Sequence, residues 1–199
     1  MCSHSAPKDR SVPDFQQSAL IIVDVQNDFL PGGALAVPDG NEVIAPVNIL
    51  SGMGFAAVIA TQDWHPADHC SFTTQDGPWP VHCIAASTGA DFPSALHLRP
   101  VSHIIHKGMA QDRDSYSAFF DNDHETSTGL DHLLHGLKVS HVVVCGLALD
   151  FCVAATARDA MRCGFRTDIA LEACRGITSD QAPLLHDLQT QGVGLIKNI

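Results

Sequence analysis

Six short runs of apolar, largely β-branched residues recur along the chain, at 19–23, 57–60, 101–105, 141–145, 167–171 and 193–196. Each is too short for a helix and apolar along nearly its whole length, the pattern of a strand covered on both faces. Helical candidates lie between them at 41–52, 128–137, 151–163 and 180–190. Strand, helix, strand in that order implies parallel neighbours joined by crossovers rather than hairpins. The expected fold is therefore α/β: a three-layer α/β/α, Rossmann-like arrangement around a six-stranded, mostly parallel central sheet. With 199 residues, 45% of them apolar, the chain suffices for one domain. That domain is expected to span 18–199, after a flexible N-terminal arm at 1–17 that carries no periodicity.

Charge removes whole classes of partner. Eleven Lys and Arg stand against 22 Asp and Glu, a formal net charge of −11. Such a field repels phosphate backbones and anionic lipid, so neither nucleic acid nor a membrane surface is expected as a partner. No apolar stretch approaches the ~18 residues of a membrane span, and the first seventeen residues lack the apolar middle of a signal peptide. A cytoplasmic protein is the expectation. Seven cysteines at irregular spacings then argue against a disulfide framework and leave room for a functional thiol.

In open parallel sheets ligands bind beyond the carboxyl ends of the strands, so the residues at each strand exit carry the most information. The first strand leads to Asp24, the second to Asp63, the third to Lys107 and the fourth to Cys152. Asp150 reads as an N-cap, which would put Cys152 in the first turn of a helix whose dipole favours a thiolate at neutral pH. Asp24 is a candidate general base, with the Lys107 ammonium supporting its ionised form. A thiol, a carboxylate and a lysine on one rim make a nucleophile with a base and a charge partner.

The connection over residues 62–100 is too long for an ordinary loop and holds His65, His69 and His82. Asp63 and His65 project the same way from an extended segment, and His69 and His82 can close around the same ion. One divalent ion is expected, zinc first, with manganese and iron as alternatives that the residues do not separate. A closed structural zinc site from Cys70, Cys83, His65 and His82 is the competing arrangement, and it leaves Asp63 without a role.

Six motifs then occur in order: DVQNDFLPGGALAV at 24–37, TQDWHPADHCSF at 61–72, WPVHC at 79–83, TGADF at 88–92, HKG at 106–108 and CGLALDFCV at 145–153. Together they resemble the nicotinamidase/pyrazinamidase branch of the isochorismatase-like cysteine hydrolases. The resemblance implies a catalytic set of Asp24, Lys107 and Cys152 and metal ligands Asp63, His65 and His82. His69 matches a histidine that ligates in some members. Phe29 and Trp79 match aromatic walls of a pyridine pocket. An oxyanion hole would use the amides of Ala148 and Cys152, with a cis peptide at Leu147–Ala148. The implied activity is metal-dependent hydrolysis of nicotinamide to nicotinate and ammonia through a cysteine thioester, as in NAD salvage, extending to pyrazinamide, in a homo-oligomer. It assigns no role to Tyr116. The main rival is another amidase or isochorismatase-like hydrolase of the same superfamily. A receiver-like signalling domain has no use for Cys152, and a serine α/β-hydrolase would need a G-x-S-x-G turn that is absent.

Overall fold

The computed structural model describes residues 15–198, so residues 1–14 of the expected arm lie outside the described residues. Its last three residues, Phe15–Gln17, form a 3-10 turn. The Phe15 ring meets that of Phe55 edge-on, with centroids 4.9 Å apart. The expected arm thus ends in a packed turn, because an aromatic side chain at position 15 has an apolar partner to bury against.

Six strands form one sheet: β1 (Ser18–Val23), β2 (Ala57–Asp63), β3 (His103–Lys107), β4 (His141–Gly146), β5 (Arg166–Cys174) and β6 (Gly194–Ile196), in the order β3-β2-β1-β4-β5-β6. Every neighbouring pair is parallel, where a mostly parallel sheet was expected. The strands β1, β2 and β4 are buried from end to end, which explains why their sequences do not alternate. Four helices connect them: α1 (Ile44–Ser51), α2 (Leu130–Gly136), α3 (Ala154–Arg162) and α4 (Ala182–Thr190). The step from β1 to β2 and the step from β4 to β5 run in opposite directions along the sheet. Right-handed crossovers therefore put α1 and α3 on opposite faces, giving three layers.

Boundaries differ from the sequence expectation where polar residues continue a strand. β2 runs on through Thr61, Gln62 and Asp63, all buried, and β3 begins and ends two residues later than its apolar run. Each polar addition is held by a partner: Asp63 pairs in register with Lys107 across β2 and β3. The helix expected from 151 starts at Ala154, because residues Leu149–Val153 form a wider π-helical turn ahead of it. The sheet reverses its winding between β1 and β4, and this is where an open parallel sheet opens a crevice. Gly146 allows the two strands to approach there: its φ is +114°, and a Cβ would stand 2.1 Å from the Val23 carbonyl oxygen. No helix among the described residues is long and apolar enough to cross a membrane.

Candidate active site

The carboxyl ends of β1 to β4 converge at this crevice. Asp24 leaves β1 with φ +49°, a left-handed conformation that Asp tolerates better than bulkier residues. Its amide donates to Thr61 Oγ1 at 3.1 Å, and the Thr61 hydroxyl donates back to Oδ1 at 2.6 Å. Lys107 Nζ lies 2.9 Å from Asp24 Oδ2, makes a close ion pair with Asp63 Oδ1, and donates to the Ser115 carbonyl at 2.9 Å. Cys152 Sγ is 3.6 Å from the same ammonium. A carboxylate oxygen from each of Asp24 and Asp63 and the Cys152 sulfur lie within 4.8 Å of one another. One buried cation thus holds two carboxylates and a thiol around a single point, although they come from four strand ends.

Burial decides the charge states. Lys107 is fully enclosed, which by itself disfavours the ammonium, but Asp24 and Asp63 outweigh that and hold it well above the ordinary lysine range. Burial likewise works against ionised Asp63, yet the Lys107 ammonium and His65 keep its carboxyl well below the usual carboxylate range. For Asp24 burial prevails over the lysine and raises the pKa, making it the stronger base of the two. Burial also pushes the Cys152 thiol well up, against the pull of Lys107. The thiolate expected at neutral pH from a helix terminus is therefore corrected: the sulfur keeps its proton until a base takes it. Asp150 does not cap the helix either. Its carboxylate instead accepts from the amides of Ile177 and Thr178, at 3.0 Å and 2.7 Å.

Asp63, His65 and His82 present one donor atom each within 4.8 Å of one another. His65 Nδ1–H donates to the Gly108 carbonyl at 2.8 Å, and His82 Nδ1–H donates to the Pro80 carbonyl at 2.7 Å. Since a carbonyl only accepts, both rings are in the tautomer that leaves Nε2 as a lone-pair donor. Both Nε2 atoms face Asp63 Oδ2, at 3.6 Å and 3.9 Å. The His65 Nε2 is buried with no hydrogen-bond partner. An orphaned imidazole lone pair beside a carboxylate and a second imidazole, each ring oriented by a carbonyl, fits a divalent metal ion.

His69 stands apart from that donor group. Its Nε2–H donates to the Arg113 carbonyl at 2.9 Å, and its Nδ1 accepts from the Ser71 hydroxyl at 2.7 Å. Both nitrogens are thus engaged, and the ring stacks on His65 at 4.1 Å between centroids. His69 thus lies outside the group of Asp63, His65 and His82, while it shares a second group of close donor atoms with His65 and Asp114. Neither Cys70 nor Cys83 joins a donor group among the described residues, which removes the closed zinc alternative.

Gly108 supports His65 through its carbonyl and through having no side chain: its φ is +61°, and a Cβ would meet His65 Cε1 at 2.5 Å. Gly108→Ala is expected to displace the imidazole and weaken divalent metal binding by about 10–100-fold, as loss of an orienting partner does. Metal competition titration of the variant checks this, and unchanged affinity would contradict it.

Beside the sulfur lies a cleft of about 430 Å3, open mouth included, walled mainly by apolar and aromatic side chains. Phe29 and Trp79, expected here, both line it, as do Ala148 and Cys152. The peptide between Leu147 and Ala148 is cis. Six wall residues went unassigned in the sequence: Leu35, Val37, Asp114, Tyr116, whose hydroxyl accepts from Trp79 Nε1 at 3.1 Å, Phe151, whose ring meets Trp79 edge-on at 5.1 Å, and Ile177. Gln26 was also missed. Its side-chain oxygen accepts from the Asp63 amide at 2.8 Å and its nitrogen donates to the Asp63 carbonyl at 2.9 Å, clamping the end of β2 to the exit of β1. Gln26, two residues after Asp24, carried a signal only through its place in a motif.

Residues 18–196 match the isochorismatase domain. The chain belongs to the isochorismatase family. Among curated relatives, the nicotinamidase of Escherichia coli (strain K12) is 38% identical over 198 residues, spanning 89% of this chain and 93% of its own. Among solved structures of isochorismatase relatives, PnC1 from L. infantum in complex with nicotinate is 41% identical with a TM-score of 0.90, covering 92% of this chain and 94% of its own. The pyrazinamidase of Pyrococcus horikoshii in complex with zinc is 37% identical with a TM-score of 0.83, over 92% of this chain and 99% of its own. The six-stranded parallel sheet is thus that of the isochorismatase fold.

Proposed function

We propose that this isochorismatase-family hydrolase cleaves nicotinamide to nicotinate and ammonia through a thioester on Cys152. The observation that carries the reading is the placement of a buried thiol beside Asp24 and Lys107 at the floor of an aromatic cleft, next to a three-residue metal donor set. Similarity to the nicotinamidase and to the nicotinate complex supports the same substrate.

Nicotinamide is planar and neutral. Phe29 and Trp79 offer ring faces and edges to its pyridine, which needs no counter-charge from the protein. Asp63, His65 and His82 would hold the metal, and a bound divalent ion there supplies a Lewis-acid position for the ring nitrogen. Zinc suits this mixed imidazole and carboxylate set, in line with the zinc complex of the pyrazinamidase relative.

Asp24 takes the Cys152 proton as the sulfur attacks the carboxamide carbon. The amides of Ala148 and Cys152 receive the oxyanion, a contribution of about 3–4 kcal/mol per donor in other hydrolases. Protonated Asp24 then delivers its proton to the leaving nitrogen, the C–N bond breaks and ammonia departs. A water deprotonated by Asp24 attacks the thioester, the C–S bond breaks, nicotinate leaves and the proton returns to Cys152. Lys107 stays protonated throughout, holding Asp24 in its basic form and balancing the charge that moves between Asp24 and the sulfur.

An ammonia-release assay on nicotinamide and pyrazinamide, run with and without chelator, tests the reading. Release from nicotinamide is expected, falling at least about tenfold on metal removal and returning with added zinc. Activity indifferent to complete metal removal would favour another amidase of the superfamily.

A further inference from the structure

Asp150 sits in the π-helical turn that carries Cys152, and its side chain bonds the segment that follows β5. One carboxylate oxygen accepts from the Ile177 amide at 3.0 Å and the other from the Thr178 amide at 2.7 Å. Gln181 Nε2 reaches the second oxygen at 3.4 Å. The backbone of the turn joins in, with the Leu149 amide donating to the Arg175 carbonyl at 2.8 Å. Against the upward push of partial burial, the Thr178 and Ile177 amides hold the Asp150 carboxyl below its usual range, so it bears a full charge for both bonds.

What these bonds hold is a wall of the cleft. Ile177 lines the same space as Cys152, Trp79 and Phe151, on a segment after β5 without helix or strand. Ile177 is 39% exposed, so packing alone anchors it poorly. Asp150 holds two consecutive amides of this loop, and it stands two residues from the nucleophile. We infer that Asp150 is a positioning residue that holds Ile177 against the aromatic ring of the substrate, coupling the nucleophile turn to the Ile177 wall of the pocket and so governing binding of the planar amide.

The inference rests on the nicotinamide reading for its substrate and on geometry for the tie, and the two are tested separately. Hydrogen exchange at the amides of Ile177 and Thr178 reports the tie whatever the substrate is. Asp150→Ala is expected to speed exchange at both by at least about tenfold relative to amides of β1 and β4, and unchanged exchange there overturns the inference. In steady-state kinetics on nicotinamide, Asp150→Ala is expected to raise KM about tenfold with kcat within about threefold of the parent, the signature of lost binding rather than lost chemistry. Asp150→Asn keeps one carbonyl acceptor and is expected to recover part of the KM. Ile177→Ala is expected to raise KM similarly, and the double variant to be no worse than either single one, because both remove the same contact. Multiplying KM effects, or a loss confined to kcat, would overturn the inference by showing that Asp150 acts through Cys152 instead. A parent enzyme that releases no ammonia from nicotinamide defeats the substrate reading alone, and the exchange result then decides the tie.

Discussion

Replacing Cys152 with alanine is expected to lower kcat for nicotinamide hydrolysis by about four to six orders of magnitude, the range seen when the nucleophile of a hydrolytic set is removed. The reason is chemical. Without the sulfur no acyl-enzyme forms, and Asp24 is left to activate water against an unactivated amide. The fold should tolerate the change, because the side chain that leaves is small and the ion pair between Lys107 and the two aspartates remains. Metal content and nicotinate affinity are therefore expected to match the parent, since Asp63, His65, His82 and the aromatic walls are untouched. Rapid-quench measurement of ammonia, with calorimetric titration of nicotinate, separates chemistry from binding. A variant within a hundredfold of the parent, with an intact cleft, would refute a covalent route.

The second large effect is expected at Lys107. Lys107→Met keeps most of the volume and removes the one charge that Asp24 and Asp63 share. Breaking a buried pair by removing one partner costs about 3–5 kcal/mol, because the remaining charges stay desolvated. For a chain of this size that corresponds to a melting temperature lower by roughly 10 °C. The sign of the pH response follows from the shifts. Asp63 is held below the ordinary carboxylate range, so its pairing stabilises the fold above that range and is lost as pH falls through the lowered value. Without Lys107 that contribution disappears, and the stability difference between parent and variant narrows in acid. Asp24 is already raised by burial, and losing the ammonium raises it further, so a larger share of the base is protonated at any given pH. Activity is expected to fall by about three orders of magnitude, within the range for loss of general base catalysis. The acid limb of kcat/KM is expected to move to higher pH, so that activity partly recovers in alkali. A variant with an unmoved acid limb would show that Lys107 serves packing and not the basicity of Asp24.

Much of this site was legible in the chain because parallel sheets put their chemistry at one end. Asp24, Asp63, Lys107 and Cys152 each stand at or just past an apolar run, so strand exits alone nominate them. His65 and His82 were readable from a long loop that was too rich in histidine and aromatic residues to be filler. His69 sits in the same loop and is equally plausible by spacing. What its surroundings add, beyond the spacing, is the Arg113 carbonyl, 44 positions away, to which its Nε2–H donates. Asp150 illustrates the same limit. By position it is a helix cap, and only the return of the chain after β5 gives its carboxylate two better amides.

The amino-acid sequence by itself determined the class of fold, since fully apolar short strands separated by amphipathic segments have few ways to bury themselves other than a covered parallel sheet. It also determined which residue types stand at the strand ends. Only the tertiary structure decided that β4 lies beside β1, which brings Cys152 within 4.8 Å of Asp24, and that Asp63 and Lys107 meet in register. It alone decided that the thiol rests protonated, because that depends on how completely water is excluded and which charges remain nearby. Strand patterns reflect local burial, whereas strand order and proton affinity arise from contacts between residues far apart in the chain.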